Sequence, residues 1–316
     1  MDFTTKVPIP KSKFPIDYQS KILSFGSCFA ENMASKFDYY KFQNLCNPFG
    51  ILFHPLAIEN SISRTINLEL FEEKELFFYN ERWHNFEVHS DLSNPDKSHL
   101  LNEINHLLVT TNKKVKEASH IIITYGTSWV YRNKQTNKLV ANCHKVPQTN
   151  FDKELLSVSD IEKSIQNTIN LIEKVNPNCN LIFTISPVRH LKDGFVENQR
   201  SKANLIAALH STFEIRQSTK RYFPSYEIMM DELRDYRFYG EDLLHPNQVA
   251  IDYIWERFVE SSVSDGTIIT MNEVEAIQRD LSHRPFNPSS ESYQKFKTQL
   301  DAKINTIKSK FPFMNF

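Results

Sequence analysis

Short apolar runs alternate with longer amphipathic stretches along this chain of 316 residues. Four runs, at 22–25, 121–125, 181–185 and 226–230, have the length and composition of buried strands. Strands covered on both faces of a parallel sheet are nearly continuous apolar runs of this kind. The pattern therefore predicts four strands of one buried sheet.

Three stretches have the residue spacing of helices. Before the third run, Ser159 and Glu162 are placed as a capping box, and isoleucines follow at helical spacing. Residues 197–217 form a second helical pattern, and a third begins near Pro246, a residue that a first helical turn accepts. Strands that alternate with helices are typical of a mostly parallel sheet covered on both faces, so the predicted fold class is α/β.

Two segments, 59–118 and 131–157, are polar and lack the alternation of strand-like and helix-like stretches. We interpret them as insertions over the edges of the sheet. The tail, 271–316, has a helical, lysine-rich pattern that the breaker run 284–290 interrupts. We therefore expect one domain over 1–270 and a helical C-terminal extension over 271–316 that packs on it.

The composition excludes several classes of protein. With 40% hydrophobic and 24% charged residues the chain can bury a full core, which excludes wholesale disorder. Its formal net charge of −1 provides no overall positive field to attract nucleic acid or an anionic membrane. No run approaches the ~20 apolar residues of a membrane span, and the first residues do not resemble a signal peptide, so we expect a cytoplasmic protein.

The four cysteines favour free thiols over a disulfide framework, because they lie far apart and form no C-x-x-C pair. A metal site built from Cys46, Cys143, His54 and His144 would require a proximity that their spacing does not indicate. We therefore expect no metal and no cofactor.

The residues that follow the predicted strands carry the candidate chemistry, because ligands of open α/β sheets bind at the carboxyl ends of the strands. Ser27 stands at a strand-to-helix turn, where backbone N–H groups at the helix start can stabilise an oxyanion. A serine attacks an ester when a histidine, oriented by a carboxylate, removes its proton. Asp242 and His245 lie three residues apart and provide that pair.

Each of these residues also has a simpler interpretation. Ser27 alone is compatible with a helix N-cap, and Asp242 with a cap of the helix near Pro246 beside a surface histidine. Cys28 is an alternative nucleophile at the same helix start, although we expect its side chain to pack inward. It is the combination of Ser27 with the Asp-x-x-His pair that favours the catalytic interpretation.

The run 26–30, Gly-Ser-Cys-Phe-Ala, resembles the signature after which the GSCFA family is named. Together with Asp242-x-x-His245-Pro, it is similar to the first and last blocks of the SGNH, or GDSL-type, hydrolases, the superfamily to which that family is assigned. The resemblance extends over about 4–287 and includes the blocks 47–50, 142–145 and 186–190. It implies a flavodoxin-like three-layer αβα sandwich and a metal-free esterase, which commonly acts on acyl groups of carbohydrates or lipids.

The resemblance also implies an oxyanion hole. Its donors would be the N–H groups of Ser27 and Gly50, with Asn47 nearby, and an asparagine in a Gly-x-Asn-Asp block. This chain has Gly-Thr-Ser-Trp at 126–129 instead, so Ser128 or Asn142 would have to replace that asparagine.

Further candidates for the substrate pocket are polar, cationic or aromatic residues near the strand ends, with structural packing as the alternative role for each. They are Gly126, Trp129, His144, Lys145, Arg189 and His190.

The residues thus predict a serine ester hydrolase that acts on a small-molecule or carbohydrate acyl ester. An acyltransferase that uses the same triad is a close variant. A binding or scaffold protein on the same fold is the alternative from another class, because a fold does not by itself determine a function. A hydrogen-bond donor aimed at the space beside Ser27 would favour the enzyme, and a pocket closed over Ser27 would favour the binding protein.

Overall fold

Five parallel strands form the central sheet of the protein, in a computed structural model that describes residues 5–215 and 220–316. In chain order the strands are β1 (Lys21–Gly26), β2 (Gln43–Cys46), β3 (Leu76–Tyr79), β4 (Arg82–Asn85), β5 (His120–Tyr125), β6 (Trp129–Asn133), β7 (Leu139–Val140), β8 (Phe151–Leu155), β9 (Asn180–Ile185) and β10 (Lys220–Phe223). The central sheet has the spatial order β10-β9-β5-β1-β2, and each neighbouring pair is parallel.

Helices cover both faces of this sheet. They are α1 (Cys28–Tyr39), α2 (Pro55–Asn67), α3 (Lys97–Glu117), α4 (Val158–Val175), α5 (Phe195–Ile215), α6 (Ser225–Glu227), which continues into a π-helix (Ile228–Leu233), α7 (Gln248–Ser262), α8 (Asp265–Ser282) and α9 (Glu291–Lys310). Short 3-10 helices occur at Glu73–Glu75, Ser90–Leu92, Gln148–Asn150, Leu191–Asp193 and Tyr236–Phe238.

Alternate residues of the central strands point to opposite faces, as the period of a strand requires. Leu23, Ile121 and Leu181 lie side by side in the sheet and pack against α2, α4 and α5. Their neighbours, such as Ile22 and Ile182, pack on the other face against α1 and α7. Because both faces are covered, the protein is a three-layer α/β sandwich, as the resemblance implied.

The order of the strands determines where a site can form. Counted along the chain, the five strands of the central sheet lie in the spatial order 2-1-3-4-5, which is the flavodoxin-like arrangement. The chain leaves β1 toward one side and β5 toward the other, so a crevice opens at the carboxyl ends of these two strands. Ser27 follows β1, and Gly126 follows β5.

Three of the four predicted strands are confirmed, as β1, β5 and β9, and the fourth is wrong. Residues 226–230 are helical, and the fifth strand is β10, just before Pro224. A short apolar run cannot distinguish a buried helix from a buried strand, and here Ile228 and Met229 are both buried within helical turns. The edge strand β10 begins with Lys220 and Arg221, so it lacks the apolar run by which the other strands were predicted.

The starts of α4 and α7 differ from those that the sequence predicts. The capping box of α4 is formed by Ser157 and Asp160 rather than by Ser159 and Glu162. Pro246 lies before the N-cap of α7, Asn247, and not in the first turn. The predicted helix 197–217 is α5, but its predicted end lies outside the described residues.

The sequence predicts that 59–118 is an insertion over the edge of the sheet, but in the structure this segment supplies helices that cover one face of the sheet. It contains most of α2 and all of α3, and buried residues of both helices belong to the core on one face of the sheet. The buried stripe of α3 is narrow, with Leu100, Ile104 and Leu108 one turn apart. Because most of the other residues of α3 are polar, the sequence pattern did not indicate a helix here. The segment 131–157 belongs largely to a separate antiparallel sheet, of order β7-β6-β8.

The tail consists of the second half of α8 and the whole of α9, and it packs on the same face of the sheet as α1 and α7. Met271, Val274 and Ile307 share one core with Phe37 and Phe258. Since α8 runs through residue 270 without a break, a domain boundary there stays a prediction. Within 5–215 and 220–316, no helix is long and apolar enough to span a bilayer.

Candidate active site

The turn between β1 and α1 holds Ser27 in a specific position. Gly26 has φ +148, and a Cβ at this position would lie 2.3 Å from the carbonyl oxygen of Thr124 on β5. The Gly26 N–H donates to Oδ1 of Asn47 at 2.8 Å. Ser27 is the N-cap of α1 but makes no side-chain cap hydrogen bond. The turn therefore places a serine at the start of a helix without using its hydroxyl for capping.

The Ser27 side chain is sealed inside the protein. The residue is 0% exposed, and its Oγ has no hydrogen-bond partner among the described residues. A Cβ on Gly126 would lie 3.2 Å from Cβ of Ser27, so the chain after β5 packs directly on the serine. A buried hydroxyl without a partner costs about 1–3 kcal/mol. The hydroxyls of Ser61 and Thr65 are among others that also lack one within the described part of the chain, so the feature does not by itself mark a site.

Asp242 and His245 form the pair that their spacing predicted. Oδ1 of Asp242 accepts the backbone N–H groups of Leu244 (2.9 Å) and His245 (3.0 Å). Its Oδ2 lies 2.5 Å from Nδ1 of His245. The backbone hydrogen bonds, and then that of the imidazole, hold the pKa of Asp242 well below its usual value, so it is ionised at neutral pH. A carboxylate on Nδ1 keeps the proton there and leaves Nε2 as the basic nitrogen.

The turn that carries this pair is tied to the end of β9 by Arg189. The Arg189 N–H donates to the carbonyl of Leu244 at 3.2 Å, and its guanidinium donates to the carbonyl of Leu243 at 2.8 Å. The guanidinium also lies 4.3 Å from the centre of the Tyr239 ring. Arg189 thus has a structural role here, because it joins the Asp-x-x-His turn to the carboxyl edge of the sheet.

The structure brings Asp242 and His245 together, but it does not join them to Ser27 by a hydrogen bond. Both side chains of the pair are about half exposed, at 47% and 51%, whereas Ser27 is buried. The assignment of the three residues to one triad therefore stays a prediction, and it requires a rearrangement that uncovers Ser27.

The backbone candidates for the oxyanion hole are hydrogen-bonded within the protein. The Ser27 N–H donates to the carbonyl of Thr124 at 3.2 Å, and the Gly50 N–H donates to the carbonyl of Asn47 at 2.8 Å. Gly50 has φ +74 and lies against His89, which leaves no room for a side chain. These two N–H groups would have to exchange partners in order to bind an oxyanion.

The donor groups of Asn47 and Ser128 are engaged as well, whereas Asn142 is held through its acceptor oxygen. Asn47 accepts the Gly26 N–H, and its Nδ2 lies 3.4 Å from Glu31. Ser128 donates to the carbonyl of Ser201 on α5 at 3.0 Å. Asn142 accepts from Ser90 and from the His144 N–H, so its carbonyl oxygen shapes a loop. Their oxyanion role stays a prediction.

A cleft of about 590 Å³ opens beside this region, between the β6–β7–β8 sheet and the loop that follows β9. Four of the predicted pocket residues line it: Trp129, His144, Lys145 and His190. Phe53 and Thr127 also line the cleft, and both are close to Gly126, the residue packed on Ser27. The cleft is therefore one residue layer away from the serine.

Of the three histidines that line the cleft, His54 has both ring nitrogens hydrogen-bonded, and His144 and His190 differ from each other. His144 is held by the carbonyl of Asn85 (2.7 Å) and by Ser90 (3.0 Å), whereas Nε2 of His190 is buried without a partner among the described residues. Burial lowers the pKa of each to about 4, so both are neutral at pH 7. Only His190 has a ring nitrogen left for a ligand.

Comparison with known sequences places the chain in a family. A sequence model of the GSCFA family matches residues 21–258, and a model of the GSCFA domain protein, C-terminal domain, matches residues 274–316. The chain belongs to the GSCFA family. A search of curated proteins finds no significant match to this GSCFA protein.

Among solved structures, the GSCFA protein is similar to an acetyl xylan esterase, Est2A, from the rumen bacterium Butyrivibrio proteoclasticus. The TM-score is 0.40 and the sequence identity 11%, over 81% of this chain and 64% of that chain. The GSCFA protein thus spans less than two thirds of the length of that enzyme.

The sequence analysis missed Lys202, which the structure places at the centre of this region. Its Nζ donates to the carbonyls of Gly126 (2.8 Å) and Ser186 (2.6 Å), the first residues after β5 and β9. A signal was present, because Lys202 lies on the same helical face as Leu205 and Leu209, which are buried. A charge in the apolar stripe of a helix is the kind of exception that marks a site.

Cys28 does not have the environment of a reactive thiol. Burial, and then the negative charge of Glu31, raise its pKa, whereas a nucleophilic cysteine needs a lowered one. Over the described ranges, no group of three His, Cys, Asp or Glu side chains is arranged to hold a metal ion.

Proposed function

We propose that this GSCFA protein is a serine ester hydrolase of the SGNH type, with Ser27 as nucleophile, His245 as base and Asp242 as the residue that orients His245. The observation that carries the proposal is the Asp242–His245 pair, in which both carboxylate oxygens are engaged and Nε2 of the imidazole is left as the basic nitrogen. The order of Ser27 after the first strand and Asp-x-x-His after the last strand of a 2-1-3-4-5 sheet supports it.

The reaction follows from these positions. Nε2 of His245 takes the proton of Ser27 as Oγ bonds to the ester carbonyl carbon, and the π electrons of the carbonyl move to its oxygen. When the intermediate collapses, the C–O bond to the alcohol breaks and the alcohol oxygen takes the proton from His245. Water then attacks the acyl-enzyme with His245 again as the base, the bond between the acyl carbon and Oγ of Ser27 breaks, and Oγ takes the proton back from His245.

The neighbouring cleft suggests the class of ester. Trp129 and Tyr131 provide aromatic surface, and a cleft of about 590 Å³ has the size of a small-ligand site. Aromatic side chains with polar groups between them suit a sugar or another small alcohol that carries an acyl group. We therefore place the substrate among small acyl esters, including those of carbohydrates.

The test is the labelling of Ser27 by a fluorophosphonate probe, followed by mass mapping of the modified peptide. We expect labelling of the wild type at Ser27, and none in Ser27→Ala or His245→Ala. Ser289→Ala and His283→Ala change exposed residues of the same types and should label as the wild type does. Because Oγ of Ser27 has no partner, Ser27→Ala should not reduce the free energy of unfolding, so a loss of labelling would not reflect unfolding.

A second candidate function is a non-catalytic binding protein on this fold. The observations that favour it are the complete burial of Ser27 and the engagement of the N–H groups of Ser27 and Gly50 and of the Ser128 hydroxyl within the protein. A well-folded wild type that is not labelled would support the binding protein, and labelling at Cys28 would identify a different nucleophile.

Acyl transfer is the variant closest to hydrolysis, because an alcohol can replace water in the second half of the reaction. Once a substrate ester is known, analysis of the products with and without an added acceptor alcohol separates the two. A new ester that forms only with the acceptor present would identify a transferase.

A further inference from the structure

Lys202 is a lysine buried in the core without a carboxylate partner. The residue is 1% exposed, and lysine is almost never fully buried unless it is paired. Within 5–215 and 220–316, no carboxylate forms a salt bridge with it, and its hydrogen bonds go to two backbone carbonyls, those of Gly126 and Ser186. Burying a cation in this way is costly, so its retention calls for a physical role.

The two carbonyls belong to the ends of two neighbouring strands of the central sheet. Gly126 follows β5 and Ser186 follows β9, and Lys202 approaches both from α5. An ammonium has three N–H groups. Two are directed at these carbonyls, and the third has no acceptor in the part of the chain that the structure describes.

Gly126 contacts both Lys202 and Ser27, two residues that each have an unsatisfied polar group. Its carbonyl holds Nζ at 2.8 Å, and its Cα is so close to Ser27 that a Cβ there would lie 3.2 Å from Cβ of the serine. Lys202 also interacts electrostatically with Cys28, the residue that follows Ser27. Nζ of Lys202 and the side chain of Ser27 therefore both lie against Gly126, and both residues are almost completely buried.

The groups that face Lys202 come from three elements. Cys28 lies on α1, His190 in the loop after β9, and the Tyr226 ring on α6, with its centre 5.5 Å from Nζ. Of these, His190 is neutral at pH 7, because burial lowers its pKa to about 4, and burial raises the pKa values of Cys28 and Tyr226. No neighbour in this set neutralises the ammonium.

We propose that Lys202 is a positioning residue of the candidate site, which holds the ends of β5 and β9 in place and supplies the positive charge that stabilises negative charge formed when Ser27 attacks an ester. The inference rests on the proposed hydrolase function. Fixed positive charge in a water-excluded site stabilises a developing oxyanion far more than it would in water. It thus compensates for Ser128, whose hydroxyl is directed to Ser201.

The role predicts a characteristic pH dependence. Burial lowers the pKa of Lys202 to about 7, against a smaller opposite effect from Cys28. The positive charge is present below that pH and is lost as the pH rises above it. The rate of Ser27 modification should therefore decline above about pH 7.

The experiment measures the rate of Ser27 labelling by the fluorophosphonate from about pH 6 to about pH 9, which brackets the pKa of Lys202. Lys202→Met removes the charge and keeps the length of the side chain, and Lys202→Gln keeps two N–H donors for the two carbonyls. Lys174→Met makes the first of these changes at an exposed position of α4. Thermal unfolding of each variant shows whether it is folded.

We expect both Lys202 variants to be labelled about 10-fold to 100-fold more slowly than the wild type at pH 6, and to lack the alkaline decline. Lys174→Met should follow the wild type at each pH. Lys202 variants that keep the wild-type rate and pH profile would overturn the inference and leave the hydrolase proposal intact.

If neither Lys202 variant folds, the wild-type profile decides, since a rate that does not fall between about pH 7 and about pH 9 contradicts a role of the ammonium. A folded wild type that is never labelled at Ser27 refutes the hydrolase proposal, and the inference with it. The two failures are distinguishable, because only the second abolishes labelling in the wild type.

Discussion

Replacing Gly26 by alanine tests how the turn that presents Ser27 is built. Gly26 has φ +148, a backbone conformation that residues with a side chain rarely adopt. A methyl group there would lie 2.3 Å from the carbonyl oxygen and 2.8 Å from Cβ of Thr124, its partner in the β1–β5 ladder. One of the two central strands would have to move.

The structure separates the two contributions to the cost. The backbone conformation contributes about 1–3 kcal/mol, and forcing a methyl group into a packed core contributes about 1–3 kcal/mol more. We therefore expect Gly26→Ala to lower the free energy of unfolding by about 2–6 kcal/mol, a large fraction of the about 5–15 kcal/mol that is typical of folded proteins.

Two other glycines of the same chain serve as matched controls. Gly194 has φ +91 but open space around it, so Gly194→Ala should show the conformational cost alone, about 1–3 kcal/mol. Gly266 lies in the first turn of α8 with open space around it, so Gly266→Ala should stabilise the protein by about 0.4–1 kcal/mol.

The assay is urea unfolding of the four proteins, with shifts of the midpoint read at constant slope. The expected order of stability is Gly266→Ala, wild type, Gly194→Ala, Gly26→Ala. If Gly26→Ala and Gly194→Ala were equally stable, the contact between Gly26 and Thr124 would not constrain the turn, and the argument for the placement of Ser27 would fail.

Two further predictions concern histidines. Burial lowers the pKa of His54 to about 4, so the native state excludes a proton that the unfolded chain binds below about pH 6.5. The native state is therefore destabilised as the pH falls from about 6.5 to about 4, by up to about 3 kcal/mol through this residue. His54→Asn keeps a cap for α2 and should flatten that part of the curve of unfolding free energy against pH, and an unchanged slope would show that His54 is not the cause. Asp242→Asn should keep the turn, because its carbonyl oxygen still accepts the N–H groups of Leu244 and His245, but its amide N–H would favour the tautomer of His245 with the proton on Nε2. Labelling of Ser27 should then slow by about a thousandfold or more without a change in stability, and a rate within tenfold of the wild type would contradict the role of Asp242.

The local pattern predicted the middle of the sheet but not its edges. The runs at 22–25, 121–125 and 181–185 became β1, β5 and β9, because a strand covered on both faces must be apolar almost throughout. The edge strands β2 and β10 are only partly buried and include polar residues, so their sequences carry no comparable signal. Whether 226–230 formed a strand or a helix depended on what packed against it.

In the candidate site, too, the features that depend on neighbouring residues were predictable from the sequence. The contact of Asp242 with His245 was predictable, because three residues within one turn decide it. The placement of Ser27 at the start of a helix followed from the strand before it and the glycine between them. These features depend on neighbours in the chain, which a sequence displays directly.

Local patterns along the chain were enough to predict the α/β class, the three central strands, the serine at the turn and the Asp-x-x-His pair. They did not show that Gly126 packs on Ser27, that Ser128 donates to Ser201, or that Lys202 donates to the carbonyl of Gly126. Ser201 and Lys202 reach the 126–128 turn from α5, a helix that is distant from that turn along the chain. The packing of a helix on strand ends determines such contacts, and no local pattern of residues encodes it.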